Sequence, residues 1–356
     1  MCNFVTNIKA KMAILIKNRL VGLLLALMLM LAALPLQARS TLPAPPPFLK
    51  EGDKIAVLSP SGAHTYNIVD SACAVFKRWG YQGVIGPNVG ARWHGFAGTV
   101  EQRKNDLLWA LRDSTIKAIM CADGGYGVIN MLCEVPMEEF RKNPKWIIGY
   151  SDITGLLSSE VRAGNMAIHG NMCYWLRKTH GNDRLSQILR EILTGEFPGY
   201  VIRGHKYNVK GTASGILLGG NISVFTDIAG SDYDFLAKDF IADKDIILFF
   251  EDTNEDMPHV DRMLQQLRIR GIINHVKGVI VGRFKGYSPT NGWSSMYELL
   301  NHYFKESPIP VCYDFPTGHF ADQNYPLIEG CPVTLTVETD SVTLDFINPL
   351  TPNTSN

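Results

Sequence analysis

From Lys54 to Gly149 the chain repeats one pattern: a short apolar run, a turn rich in glycine, proline or serine, then a stretch with helical spacing. The run at 54–59 ends in Pro60-Ser61-Gly62, and a helical stretch over 69–79 closes at Gly80-Tyr81. A second strand is predicted at 82–85, and a helix follows at 100–113 with Leu107, Leu108 and Leu111 on one face. A third strand spans 116–121 and a fourth 146–149, with a helix between them. Strand and helix in strict turn build a parallel sheet covered on both faces, because parallel neighbours need a crossover that packs back onto the sheet. The N-terminal half is therefore expected to be a parallel-sheet α/β domain of Rossmann or flavodoxin type.

The pattern fades after residue 178. Residues 180–207 read as a connector with one helix over 185–193, and a second apolar region starts near Gly211. It holds apolar runs at 213–218, 246–250 and 276–282, a helix over 260–270, and an alternation at 333–347 that suits antiparallel strands. The expected organisation is an N-terminal α/β domain (49–180), a connector (181–210) and a mixed α/β, β-rich C-terminal domain (211–350). Two domains also suit the length, since 318 residues beyond position 38 exceed what one hydrophobic core usually covers. Residues 39–48 form a proline-rich lead-in, expected to be semi-rigid and unpacked.

Residues 1–38 read as a secretory signal peptide. Lys9, Lys11, Lys17 and Arg19 precede an apolar run over 20–34, and Leu36-Gln37-Ala38 offers a small residue for cleavage. The expected location is the bacterial periplasm, with an uncleaved anchor as the alternative and no integral membrane domain once the signal is removed. The whole chain has 34 basic and 34 acidic side chains; the leader carries four basic and no acidic ones, so the remainder stands at 30 − 34 = −4. That mildly acidic balance gives no electrostatic footprint for nucleic acid. Cys73, Cys121, Cys133, Cys173, Cys312 and Cys331 form no C-x-x-C pair, and buried free thiols are expected in a chain this long, although export permits disulfides.

The chemistry concentrates around Gly149-Tyr150-Ser151-Asp152-Ile153. A hydroxyl emerging there projects from the carboxyl end of a strand, where open α/β sheets form their crevice. It also stands beside helix N-terminal N–H groups able to stabilise an oxyanion. The plainer reading is a Ser-Asp helix cap. Asp123-Gly124-Gly125-Tyr126-Gly127 follows the third strand at the same sheet edge, where glycines let backbone N–H groups approach a ligand; a tight turn is the plainer reading. Glu251 ends the apolar run at 246–250, so it needs a partner: Arg262 or Arg268 in a salt bridge, or an imidazole it orients. His319 in Pro316-Thr317-Gly318-His319-Phe320 is a solvated turn histidine or a general base. The α/β-hydrolase elbow G-x-S-x-G is absent, as are phosphate-loop and metal-site motifs, and no cofactor is implied.

Taken together, these motifs resemble the LD-carboxypeptidase (muramoyltetrapeptide carboxypeptidase) family of serine peptidases, which includes the microcin C self-immunity proteins. The resemblance runs through Gly52-Asp53 to Pro60, Gly124-Gly125-Tyr126-Gly127, Gly149 to Thr154, His169-Gly170, Gly219-Gly220-Asn221, Phe250-Glu251-Asp252 with Glu255, Asp261-Arg262-Met263-Leu264, and Gly318-His319 with Asn324. It implies a Ser151–His319–Glu251 triad in a cleft between the two domains, with Asp152 and the Gly124-Gly125 loop as backbone oxyanion donors. Tyr126, Asn221 and Arg262 are the candidate substrate contacts. It implies a homodimer, no metal, and a small muropeptide as substrate. Two departures stand out: Asp123 replaces an arginine usual before the glycine loop, and Asn130-Met131 stands where another is often found. The expected reaction is hydrolysis of the L,D-bond before the terminal D-alanine of a peptidoglycan tetrapeptide. The rivals are a peptidyl-nucleotide or acyl-sulfamate substrate for the same triad, and a wall-peptide binder that does not cut.

Overall fold

A computed structural model describes residues 42–350, so the signal-peptide reading of 1–38 lies outside the described residues. Two sheets carry the fold. The first contains β1 (Lys54–Leu58), β2 (Gln82–Ile85), β3 (Ile116–Cys121), β4 (Trp146–Gly149) and β5 (Ala167–His169). The second contains β6 (Gly199–Arg203), β7 (Gly211–Asn221), β8 (Ile246–Thr253), β9 (Gly278–Lys285) and β10 (Val311–Cys312). Of the last three strands, β11 (Leu327–Glu329) joins the first sheet, while β12 (Pro332–Val337) and β13 (Ser341–Phe346) join the second.

The first sheet has the order β2-β1-β3-β4-β5, all parallel, with β11 added antiparallel to β5. This is the flavodoxin-like order, whose crevice opens at the carboxyl ends of β1 and β3. Its central strands are buried on both faces, as the apolar run of β4 and the largely apolar β3, broken only by Lys117, require, while the edge strand β2 is partly exposed. Thr99 starts the helix Val100–Arg112 with a capping box to Gln102, and that helix buries Leu107, Ala110 and Leu111 while Leu108 stays partly exposed.

The second sheet is mixed. β7, β8, β9 and β10 run parallel, and β12, β13 and β6 continue it antiparallel. Asp256 caps the helix Met257–Ile269 through the His259 N–H, with Pro258 in its first turn.

Three expectations change. Residues 181–210 are more than a connector. Their helix Arg184–Thr194 buries Ile188, Leu189, Ile192 and Leu193 against the first sheet's core, and β6 forms the edge of the second sheet. The strand pattern of β6 is short and half exposed, so it carried little periodic signal. Second, β11 comes from the C-terminal half yet completes the N-terminal sheet. Third, the proline-rich lead-in packs: Pro43 and Pro46 are buried, Ala44 N donates to Gly164 O and Ala44 O accepts from Met166 N. An extended segment rich in proline retains enough free backbone groups to pair along an edge.

The halves also share their apolar cores. Ile153, Leu156 and Leu157 pack in one continuous cluster with Ile222, Phe225 and Phe235. At the same seam Asn221 N donates to Thr154 Oγ1 at 3.1 Å, and Ser158 Oγ donates to the Tyr233 carbonyl. Packing of this kind fixes the carboxyl edge of the second sheet against the turn that carries Ser151. The six cysteines of the described residues are free thiols; four are buried, whereas Cys133 is exposed. Among the described residues no helix is long and apolar enough to cross a membrane, and no group of three His, Cys, Asp or Glu side chains is placed to hold a metal ion.

Candidate active site

Ser151 opens a 3-10 turn (Ser151–Ile153) directly after β4 and has a left-handed backbone, φ 64°. A non-glycine residue in that region is strained by about 1–3 kcal/mol and persists only where its surroundings hold it. Tyr150, Ser151 and Ile153 make no side-chain capping bond to the following helix, so the N-cap reading of Ser151-Asp152 is corrected. The Asp152 carboxylate instead reaches across to the glycine loop. Its Oδ2 accepts from Ser61 Oγ at 2.5 Å and from Val128 N at 2.9 Å. Arg103, also buried, donates from Nη1 to Pro60 O (2.8 Å) and Gly127 O (2.6 Å). Burial pushes the Asp152 pKa up, against the hydrogen bonds from Ser61 and the loop.

That scaffold presses the glycine loop onto the serine. A Cβ on Gly124 would stand 3.2 Å from Ser151 Cβ and 3.3 Å from its Oγ, so a side chain there would crowd the serine. The Gly124 N–H, however, donates to Asp123 Oδ1 at 2.9 Å. Of the two loop N–H groups expected to meet an oxyanion, the one engaged by a side chain is therefore Gly124, and Gly125 lines the cavity with Ser151.

His319 and Glu251 come from the second sheet's side. Glu251 sits in β8 where the register with β9 shifts, a bulge of the type that re-aims a side chain. Its carboxylate is fully buried, and Oε2 accepts from His319 Nδ1 at 2.7 Å. His319 Nε2 lies 2.9 Å from Ser151 Oγ. With Nδ1 donating to the carboxylate, Nε2 is the acceptor for the serine O–H. Neither Arg262 nor Arg268 pairs with Glu251; the partner is the imidazole. Gly318, at φ 123°, allows the turn: a Cβ there would meet Arg283 O at 2.9 Å and Glu251 Oε2 at 3.0 Å. Asn324 Oδ1 holds the same turn by accepting from Gly318 N at 3.0 Å.

Two opposed effects set the imidazole's acidity. Burial drives the His319 pKa down, but the charge and hydrogen bond of Glu251, with Asp252 beyond, outweigh it, and the net shift is upward. Burial likewise works to raise Glu251, and His319, His169 and Asn221 outweigh it, leaving its pKa lowered. A carboxylate, an imidazole and a hydroxyl in this order can pass the hydroxyl proton to the ring and stabilise the resulting imidazolium.

Ser151 opens onto a cavity of about 380 Å³ whose walls include Gly125, Tyr126, Asn221, Asp227, Asp252 and Glu255. Tyr126 is largely exposed there and Asn221 is buried, its Oδ1 accepting from Ser223 Oγ at 2.6 Å. Burial and the neighbouring Glu251 push the Asp252 pKa up to about 7. Arg262 does not belong to this group. It lines a separate pocket with Met257, Asp261 and Trp293, so its candidacy is corrected; its helix buries the Val260/Leu264/Leu267 stripe and turns Arg262 outward. Asp123 faces a neighbouring cavity with Gly62, Ala63, Gly95 and Phe96 rather than the one holding Ser151.

His169 escaped the reading of the residues one by one. It is fully buried at the end of β5, edge-on to Phe249 and 5.9 Å from the Tyr150 ring, and burial pulls its pKa down to about 4. A lone histidine after a three-residue strand carries no local signal. The acidic residues of the cavity were equally hidden, since Asp227 and Asp252 are 25 positions apart and meet only because the helix Ile222–Asp227 follows β7, the neighbour of β8.

Comparisons with known proteins agree with this architecture. The family model described as the LD-carboxypeptidase N-terminal domain matches residues 55–170, and the model described as the C-terminal domain matches residues 214–335. A Synechocystis sp. protein, named provisionally as a carboxypeptidase, is 33% identical over 76% of this chain and 87% of its own length. The murein tetrapeptide carboxypeptidase of Pseudomonas aeruginosa is 28% identical over 75% of this chain and 88% of its own. The crystal structure of muramoyltetrapeptide carboxypeptidase from Oxalobacter formigenes superposes with a TM-score of 0.70 at 25% identity, covering 82% of this chain and 98% of that one. The chain belongs to the LD-carboxypeptidase family of peptidases. It is a carboxypeptidase enzyme with a two-sheet, mixed α/β fold.

Proposed function

We propose that the chain is a serine L,D-carboxypeptidase that removes the terminal D-alanine from peptidoglycan tetrapeptides through Ser151, His319 and Glu251. The observation that carries the reading is the unbroken chain of hydrogen bonds Ser151 Oγ–His319 Nε2 (2.9 Å) and His319 Nδ1–Glu251 Oε2 (2.7 Å), at the mouth of a peptide-sized cavity. Ser151 Oγ attacks the carbonyl carbon of the L-centre as His319 Nε2 takes its proton. Glu251 keeps the ring oriented and balances the imidazolium. The Asp152 and Gly125 N–H groups face the developing oxyanion, a contribution of about 3 kcal/mol per donor in serine hydrolases. The imidazolium then protonates the leaving amine, D-alanine departs, and water attacking the acyl-enzyme through the same base releases tripeptide. The names of the Pseudomonas and Oxalobacter relatives support murein tetrapeptide as the substrate class.

The test is D-alanine release from a muropeptide tetrapeptide, followed by mass spectrometry. Wild type should yield tripeptide, and Ser151→Ala should lose about a thousandfold or more in kcat. Near-normal turnover by Ser151→Ala refutes the triad. Tight binding without turnover points to a wall-peptide binder, and cleavage of an aminoacyl-sulfamate adenosine alone points to the immunity-type substrate.

A further inference from the structure

The cavity beside Ser151 has the wrong charge for the end of a peptide. Asp152, Asp227, Asp252 and Glu255 contribute to its walls, and among the described residues no lysine or arginine lines it. A terminal carboxylate entering there would meet carboxyl groups and no cationic side chain to balance it. A cation stands at the rim, near the residue that follows His319. Lys285 ends β9, is exposed, and holds its Nζ 5.5 Å from the centre of the Phe320 ring, the residue directly after His319. Arg283, two residues earlier on the same strand, stands over the same ring at 5.9 Å, but Asp314 engages its guanidinium through Nε at 2.9 Å. Lys285 has no ion-pair partner among the described residues. Its backbone is tied to the cavity rim: it lies opposite Thr253 in the β8–β9 register, and its carbonyl accepts from Asn254 N at 2.8 Å.

We propose that Lys285 is the residue that holds the terminal carboxylate of the peptide, so that the departing amino acid lies over His319 toward Phe320 and the acyl half occupies the acidic cavity. This rests on the function proposed above. The leaving amine must receive its proton from His319 Nε2, and the carboxylate of the departing residue is attached to the carbon next to that nitrogen. Its partner cation therefore has to stand near His319. Lys285 meets that condition, and its charge acts on the His319 imidazole, opposing protonation. An ammonium beside an aromatic face also keeps its stem in place without neutralising its charge.

The experiment compares two tetrapeptide substrates, one ending in free D-alanine and one in D-alanine amide, with wild type, Lys285→Gln and Lys285→Arg. Wild type should prefer the free acid. Lys285→Gln should lose about 10- to 100-fold in kcat/KM on the acid, mainly through KM, while the amide changes little, so the preference collapses. Lys285→Arg should keep most of it. Labelling of Ser151 by a fluorophosphonate at the wild-type rate shows that the variants retain the folded site. An acid-to-amide ratio unchanged in Lys285→Gln overturns the assignment, and so does an equal loss on both substrates. If wild type releases D-alanine and the ratio holds, this inference alone falls. If wild type releases none from either peptide, it falls together with the proposed function.

Discussion

The two sides of the Ser151 cavity are built on different principles. On the first sheet's side the work is done by backbone shape: a left-handed serine, a glycine packed closely against it, and a loop pinned by Asp152 and Arg103. On the second sheet's side it is done by charge: a fully buried Glu251 aimed by a bulge, an imidazole whose pKa it lifts, and a lysine beyond. The nucleophile's side should therefore fail through lost geometry and lost stability. The base's side should fail through altered titration with the fold intact.

Glu251→Gln is the sharpest way to break that contrast. The amide keeps the size but cannot balance an imidazolium, and loss of the equivalent carboxylate in a serine protease triad lowers kcat by about 10⁴. A fall of that order is expected here, measured as D-alanine release. The pH profile supplies the second readout. In wild type, kcat/KM should fall as pH drops through the pKa of His319, which lies above the ordinary histidine value. Removing Glu251 removes the main influence holding that pKa up, so burial prevails and the residual activity's acid limb should move to lower pH. A limb that stays in place would mean that His319 is not the titrating base.

Asp152→Ala probes the opposite side. It leaves the buried Ser61 hydroxyl and the Val128 N–H without their acceptor and frees the loop facing Ser151. The expected cost is about 2–4 kcal/mol in denaturant unfolding, since two buried donors lose their partner. Activity should fall through kcat with the pH limb unmoved, because the base's surroundings are untouched. A variant as stable as wild type would show that Arg103 alone pins the loop.

How much of this was legible in the sequence follows the same division. The first sheet could be read because its strands are short, mostly apolar runs between turns and helices, and β4 is the plainest case. Ser151, Glu251 and His319 each follow or end such a segment, so local pattern marked all three. Their meeting was not legible from periodicity, and it was the resemblance that joined them. Three things stayed hidden because only tertiary contact creates them. β11 leaves the C-terminal half to pair with β5, Asp227 at the end of the helix after β7 meets Asp252 of β8, and Lys285 gains its setting from Phe320. Arg262 was misread for the complementary reason. Its motif neighbour Leu264 lies on the buried stripe of a helix, and the arginine itself is exposed.

The smallest expected effect belongs to Asp123, and it decides which loop N–H serves the oxyanion. Its Oδ1 occupies the Gly124 N–H, while its side chain borders the cavity that does not hold Ser151. If Gly125 and Asp152 are the donors, Asp123→Ala releases an N–H that the reaction does not use, and kcat should change by less than about threefold, far below the roughly hundredfold effect of a true oxyanion donor. The turn loses one hydrogen bond, worth about 1 kcal/mol at a partly exposed site, which a thermal melt would register. A rise in kcat of about tenfold or more, the free-energy equivalent of one added charge-assisted hydrogen bond, would instead identify Gly124 N–H as a donor that Asp123 holds back. In that event the side of the site governed by backbone shape would also carry an electrostatic brake, and the division between the two sides would have to be redrawn at Asp123.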